Sequence, residues 1–130
     1  MRVIIKETKI KLPNDIKEFL EKEISSLDRF LKRFLNDSKD NLKKAKPKVE
    51  ARVEVKQKER GFYYVECNLH LLGKMFRAES LKTNLKSAID EVKDELKRMI
   101  KDYKKKFLSK MKKRARTLKR EIKMSQFAKN

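Results

Sequence analysis

The sequence predicts an α+β domain of order β-α-β-β-β-α: a four-stranded mixed sheet with two parallel helices packed on one face, the second helix extended by a basic C-terminal tail. Three observations predict it. Apolar spacing switches from helical to alternating near residue 47 and back to helical near residue 82. The alternating strands have one apolar face each, so both helices cover that face. Directions counted along the chain then leave the helices parallel, with only the first two strands parallel and their crossover right-handed.

Each element has its own signal. Val3-Ile4-Ile5 opens the first strand. Lys11-Leu12-Pro13-Asn14-Asp15 is a helix start, with Pro, Asn and Asp where capping wants them. Ile16, Leu20, Ile24, Leu27, Leu31 and Phe34 follow at helical spacing, flanked by Phe19 and Phe30, and predict a helix over about 15–35. The polar stretch 36–46 reads as a loop. Val49, Ala51, Val53 and Val55 alternate with charged residues, as do Tyr63, Val65, Cys67, Leu69 and Leu71 with polar ones. Lys58 to Gly61 is the hairpin connection between these strands, and Gly73-Lys74 turns the chain into a short fourth strand over 75–79, with Phe76 and Ala78 inward. From about 82, Leu85, Ala88, Ile89, Val92, Leu96, Met99, Ile100 and Tyr103 restore the helical period, with Ser80 and Thr83 as cap residues.

Beyond Tyr103 the apolar spacing loosens through Phe107, Leu108, Met111, Leu118 and Ile122. A helix continuing to 124 would be about 60 Å long, against about 17–34 Å for the strands. The domain is therefore expected over 1–104. Residues 105–130 are expected as an extension, a helical overhang or a mobile tail that a polyanion orders.

Composition narrows the function. The formal net charge is +19, and +11 of it lies in residues 101–130, where 13 Lys or Arg face only Asp102 and Glu121. A polyanion is the partner this implies, RNA first among them, with counterion release driving binding. The longest apolar run, Phe62 to Val65, is far too short to span a bilayer, and no signal peptide is visible in residues 1–11. Cys67 is the only cysteine, which fits a reducing, cytoplasmic setting. With one His and one Cys no metal site is expected, and Cys67 reads as a core residue. Phosphate loop, nucleophile elbow and paired inward carboxylates are missing, so no catalytic residue, cofactor or small-molecule substrate is expected.

Placement of the charges is more informative than their sum. Plotted at 100° per residue, Lys86, Lys93, Lys97 and Lys104 fall on one flank of the second helix, off its apolar stripe, with Lys82 and Lys101 on either side. Glu91, Asp94, Glu95 and Asp102 gather on the other flank, Asp90 being the exception. In the first helix Lys22, Arg29 and Arg33 share a flank, while Glu18, Glu21 and Asp28 lie on the other, with Lys32 among them. The two stripes have opposite sense. In parallel neighbours both therefore face the groove between the helices or both face away. In the tail, Lys105, Lys112, Lys113, Arg114 and Arg116 are further nucleic-acid candidates. Phe62 and Tyr64, on the open sheet face, are candidates for base stacking, against a plainer reading as surface packing.

The same residues carry a family resemblance. Ile16 to Phe30 reads IKEFLEKEISSLDRF and resembles the pattern LREYVEKKLSKLEKY of the short form of the ribosome hibernation-promoting factors, or ribosome-associated inhibitors, of the sigma-54 modulation type. Leu69 to Gly73 followed by Phe76 to Glu79 is similar to its LHLKG and LRAE pieces. Ser87 to Asp90, then Leu96, Arg98, Ile100 and Tyr103-Lys104, resemble its AAID…L-x-R-x-I…YK piece. The resemblance covers most of residues 1–104. It implies a bacterial stress or stationary-phase protein that binds the small ribosomal subunit and its ribosomal RNA near the decoding centre and mRNA channel, blocks mRNA and tRNA, and promotes ribosome hibernation. Carried over by position, it implies Lys22, Arg29, Lys82, Lys86, Lys93, Lys97, Arg98 and Lys101 as RNA contacts. Ser26, Glu95 and Met99 depart from the pattern. The long form has a second, dimerising domain for which this chain ends too soon, so direct ribosome pairing through such a domain is not expected. A monomer off the ribosome is expected. The alternative is another RNA- or DNA-binding module on a similar scaffold. A membrane-surface protein is disfavoured because the tail helix lacks Trp and a broad apolar face.

Overall fold

The computed structural model describes residues 1–37, 49–71 and 73–128, with side chains described through Lys32, from Val49 to Leu71 and from Gly73 to Leu118. In chain order the elements are β1 (Arg2–Thr8), α1 (Asn14–Ser25), α2 (Leu27–Asp37), β2 (Glu50–Gln57), a 3-10 turn (Glu59–Gly61), β3 (Tyr63–Leu71), β4 (Lys74–Lys82) and α3 (Leu85–Ala128). The chain divides into two compact units, one ending at Ile100 and one beginning at Lys101.

In the first unit the sheet order is β1-β2-β3-β4. β1 runs parallel to β2, and the two following pairs are antiparallel. The period-2 alternation sets the register. Ala51, Val53 and Val55 stand opposite Leu69, Cys67 and Val65, all buried on one face. Phe76, Ala78 and Ser80 extend that face across β4. The fourth strand is longer than its sequence pattern suggests, nine residues in place of five. Its added end carries Ser80, which points inward and is only 5% exposed. Ser80 is thus a strand residue and not a helix cap.

Left-handed backbone appears where the strands turn. Gly73 has φ 73° between the paired ends Leu71 and Lys74, a conformation that costs glycine little. Arg60 and Gly61 are both left-handed in the β2–β3 connection, which the Lys58 N–H closes by donating to the Phe62 carbonyl at 2.7 Å.

The helical layer covers the apolar face. Leu20, Ile24, Leu27 and Leu31 come from α1 and α2, and Ala88, Ile89, Val92, Leu96 and Ile100 from α3. The single helix expected over 15–35 is two, broken at Ser26. The Ser26 hydroxyl donates to the Glu23 carbonyl at 2.6 Å, and such back-bonding competes with the helical ladder and bends it. Ser26 itself keeps the helical sense, and α2 continues to Asp37, beyond the expected end. The rest of the loop expected over 36–46, from residue 38 on, lies outside the described residues, as does the Phe34 side chain.

Caps also differ from expectation. α1 begins at Asn14 with Pro13 at its N-cap and no side-chain cap bond. The Pro13 carbonyl accepts from Ile16 and Lys17, and Asp15 sits in the first turn where the helix dipole favours it. α3 starts at Leu85, and Asn84, not Thr83, caps it, its Oδ1 accepting from the Ser87 N–H at 3.2 Å.

Three contacts settle helix direction. The Lys86 ammonium lies 5.4 Å from the Phe19 ring centre, Lys93 Nζ is 2.6 Å from Glu23 Oε2, and Lys97 lies 5.5 Å from the Phe30 ring centre. Partner numbers rise together, so the α1–α2 segment and α3 run parallel. The outer contacts are eleven residues apart on both sides, about 16 Å of helix on each.

The second unit is helical as far as Ala128, so the loosened spacing past Tyr103 does not end the helix. Tyr103 and Phe107 stack there one turn apart, with ring centres at 6.5 Å. No helix among the described residues is long and apolar enough to cross a membrane.

Leu96 is fully buried under the sheet. Leu96→Ala should cost about 2–5 kcal/mol of unfolding free energy, the range for leucine truncation in a packed core. Urea titration followed by circular dichroism measures it. Met99→Ala, one helical flank away and only half-buried, should cost less.

Candidate nucleic-acid interface

The two faces of the first unit handle charge differently. On the open sheet face, charges pair off locally. Arg52 meets Glu50 at 3.5 Å, Lys56 meets Glu54 at 3.1 Å, and Arg77 meets Glu66 at 3.4 Å and Glu79 at 3.5 Å. The Tyr64 hydroxyl sits between two carboxylates, 2.9 Å from Glu66 Oε2 and 2.7 Å from Glu79 Oε2. Burial and the two carboxylates push its pKa well above the ordinary tyrosine value. Lys56 and Lys58 flank its ring at 6.0 and 5.7 Å. Tyr64 is thus enclosed by its own neighbours, and a base stacking on it would have to displace a lysine. Phe62 precedes β3 and belongs to the connection. His70 is exposed on the open face, and the described residues contain no cluster of His, Cys, Asp and Glu that could hold a metal. Cys67 is fully buried, and its thiol pKa is pushed up to about 12 by burial.

On the helical side, the basic flank of α3 faces α1 and α2. This resolves the choice left open by the helical wheel. Arg29, Phe30, Lys93 and Lys97 line one hollow of about 260 Å³ together with Ser26 and Leu27. Lys86 and Lys97 each rest over an aromatic ring, Phe19 and Phe30 respectively. A ring under an ammonium holds it by cation–π attraction and leaves its outer side in water. Lys93 differs. It lies off the apolar stripe but is only 25% exposed and pairs with Glu23. That carboxylate holds its pKa above the usual lysine value, with burial opposing.

The remaining candidates separate. Lys22 is exposed on α1, and the Arg33 side chain lies outside the described residues. Lys82 pairs with Glu91 at 2.7 Å, which lowers the Glu91 pKa. Arg98 lines a second hollow with Glu91, Asp94 and Glu95, and its guanidinium lies 4.0 Å from Glu95. Lys82 and Arg98 therefore sit with the acidic flank, not in the groove. Lys101, Lys104, Lys105, Lys112, Lys113, Arg114 and Arg116 belong to the second unit, where all but the half-buried Lys104 are exposed.

Two features were not seen from the sequence. One is the set of groove partners, Phe19, Glu23 and Phe30; their helical phase relative to the lysines becomes readable only once the helices are aligned in register. The other was countable. Residues 14–37 and 85–100 hold nine basic and ten acidic residues, so the helical layer is segregated in charge but not basic overall. The excess of the first 100 residues lies elsewhere, half of its +8 in the lysine-rich stretch 38–48.

Comparison with known proteins adds an independent line. The family model described as "Sigma 54 modulation protein / S30EA ribosomal protein" matches residues 3–107. Among solved structures, the N-terminal domain of Protein Y from Thermus thermophilus is similar, with TM-score 0.62 and 20% identity over 79% of this chain and 99% of that one. A ribosomal subunit interface protein from Coxiella burnetii is similar too, with TM-score 0.59 and 12% identity over 80% of this chain and 98% of that one. At these identities the structures speak for the fold alone. No curated protein matches.

The Glu23–Lys93 pair gives a signed prediction. The lysine pKa is raised in the folded state, so the pair stabilises below the unfolded lysine value and its contribution is lost as pH rises through the folded value. Glu23→Gln should lower the Lys93 pKa, read by NMR of the Nζ group. It should also remove about 0.5–1 kcal/mol of stability at neutral pH, with the difference from wild type vanishing at the alkaline end.

Proposed function

The chain belongs to the sigma 54 modulation protein / S30EA ribosomal protein family, and on that premise we propose that it is a translation repressor that binds the small ribosomal subunit near the decoding centre and mRNA channel. It acts by occupancy and without chemistry. Held in that channel it leaves no room for mRNA or tRNA, and ribosomes so blocked are kept idle under stress or in stationary phase, in the bacterial cytoplasm. It works as a monomer off the ribosome and needs no cofactor.

The observation that carries this reading is the row formed by Lys86, Lys93 and Lys97 along one rigid helix, with Arg29 facing it. Three cations about one and two turns apart, fixed on rings and a carboxylate, match the repeated phosphates of a nucleic-acid strand better than they match a single small anion. Lys22 extends the same surface in this proposal, while Lys82 and Arg98 lie at its rim; Arg33 on α2 and Lys101 in the second unit are proposed as further phosphate contacts. Residues 105–130 act as an extension of the 1–104 domain, in which Lys105, Lys112, Lys113, Arg114 and Arg116 add phosphate contacts.

The substitution set follows from the geometry. Lys93→Glu would set a second carboxylate against Glu23, so it confounds binding with folding. Arg29→Glu with Lys86→Glu and Lys97→Glu avoids this, all three residues being exposed. This variant should keep its circular dichroism spectrum, stop co-sedimenting with small subunits and stop inhibiting cell-free translation. Glu91→Gln, Asp94→Gln and Glu95→Gln together should leave inhibition intact. Full inhibition by the basic-to-acidic variant, or wild-type inhibition without small-subunit binding, overturns the occlusion mechanism. Equal affinity for bare duplex RNA would instead point to a general nucleic-acid module.

Truncation after Lys104 tests the extension. Melting temperature should stay within a few degrees. The log–log slope of affinity against salt should flatten by roughly 0.7–0.9 for each phosphate that the shortened chain no longer neutralises. An unchanged slope means the extension touches no phosphate.

A further inference from the structure

One feature of the second unit is not used by RNA binding. Leu108, Met111, Ala115, Leu118 and Ile122 recur at steps of three, four, three and four. On a helix these positions fall within an arc of about 80°, while Lys105, Lys106, Lys110, Lys112, Lys113, Arg114 and Arg116 occupy the rest. Met111 and Leu118 are large apolar side chains left 49% and 57% exposed. A narrow stripe at a seven-residue repeat is the seam of a coiled coil, not the broad face that covers a globular core.

We propose that this seam docks an amphipathic helix of a partner protein, one with leucine or isoleucine at the same three–four spacing and Asp or Glu on its flanks. The inference goes beyond the RNA-binding reading: the seam itself is apolar, and only its flanking Lys112 and Arg114 are shared with the phosphate contacts proposed above. Charge complementarity selects the occupant. Lys112, Arg114 and Lys119 take positions that border the seam, Glu121 being the acidic exception, and in a coiled coil those positions meet the partner's flanks. A parallel second copy of this chain would set Arg114 against Lys119, and in either orientation it would bring the same excess of 13 Lys or Arg over two acidic residues in 101–130 alongside itself, which opposes pairing. Phosphates satisfy the basic arc but offer nothing to aliphatic side chains at regular spacing, since exposed bases are held by aromatic rings or hydrogen bonds. An interfacial lipid helix needs a wide apolar face, which about 80° does not provide. The seam spans about two heptads, some 22 Å of helix. The complex is thus a small one, formed fast by electrostatic steering and released readily.

The test uses the full chain and a synthetic probe: a three-heptad peptide with leucine at the seam positions and glutamate at the flanks, against a scrambled peptide of equal composition. Titration calorimetry at about 0.15 M salt should give at least tenfold preference for the patterned peptide. Met111→Gln with Leu118→Gln should abolish the preference while leaving affinity for single-stranded RNA unchanged. Lys112→Glu with Arg114→Glu should shift preference to a lysine-flanked version of the peptide, a gain that loss of folding cannot mimic. Equal binding of patterned and scrambled peptides overturns the proposal in favour of plain charge attraction. Loss of RNA affinity in the glutamine variant assigns the seam to RNA, and phosphatidylserine vesicles bound through Met111 and Leu118 assign it to membranes; either result overturns the proposal.

Discussion

The one-sided burial of the sheet is the constraint from which the rest of the first unit follows. Ala51, Val53 and Val55 on β2 and Val65, Cys67, Leu69 and Leu71 on β3 all point to one face. Such a face is stable only when covered. The cover has to come from the chain itself, and it comes as two helical arms whose buried residues repeat every three or four positions. Because β1 is parallel to β2 and the two hairpins return the chain, both arms enter from the same end. Parallel alignment is thus a consequence of strand connectivity, and it makes the groove: only parallel helices bring Phe19, Glu23 and Phe30 into step with Lys86, Lys93 and Lys97 along eleven residues.

Much of this was legible in the sequence because period and burial are coupled. A period of two with one apolar phase identifies a half-buried strand, and the pattern of β2 and β3 is regular enough to fix register through Val53 and Cys67. What was not legible depends on single hydrogen bonds. Ser26 carries no sign in the pattern that its hydroxyl bonds Glu23 and splits the helix. Ser80 and Thr83 have capping chemistry, but Ser80 has strand phase and Asn84 lies one step closer to the helix. Local propensity could not choose among the three. At the candidate interface, helical angle grouped Lys86, Lys93 and Lys97 on one flank of α3, and the structure turns that flank toward α1 and α2. Helical angle could not place Lys82 or Arg98, whose position is set by Glu91 and Glu95 and by the end of β4.

Segregation matters more than net charge for how the groove is built. The layer is close to neutral, yet its cations stand in a row because most of the carboxylates that balance them lie on the other flanks of the two helical segments, Asp90 excepted and Glu23 inside the groove. A neutral layer does not repel itself, so the lysines can be held close without opening the helices. The aromatic backing of Lys86 and Lys97 adds order at little cost in hydration, since the ammonium keeps water on its outer side. The large positive excess lies instead in residues 101–130.

Lys93 is where these two demands meet. Its ammonium lies within 2.6 Å of Glu23, and both groups are roughly three-quarters shielded from solvent. A phosphate arriving at this lysine would find a carboxylate already in place and must share the ammonium with it or turn it away. The pair therefore subtracts from the affinity that Lys93 could contribute and adds to the rigidity with which the helices are held. Lys86 and Lys97 have no such competitor in their ring contacts, since a ring face and a phosphate approach opposite sides of the ammonium. The groove thus has a fixed centre and two cations open to contact, one about two turns before it and one a turn after. A surface of that kind gains affinity from its ends and alignment from its middle, which is the division expected where phosphate contacts set position on a nucleic acid and a rigid frame sets which shape can be accepted.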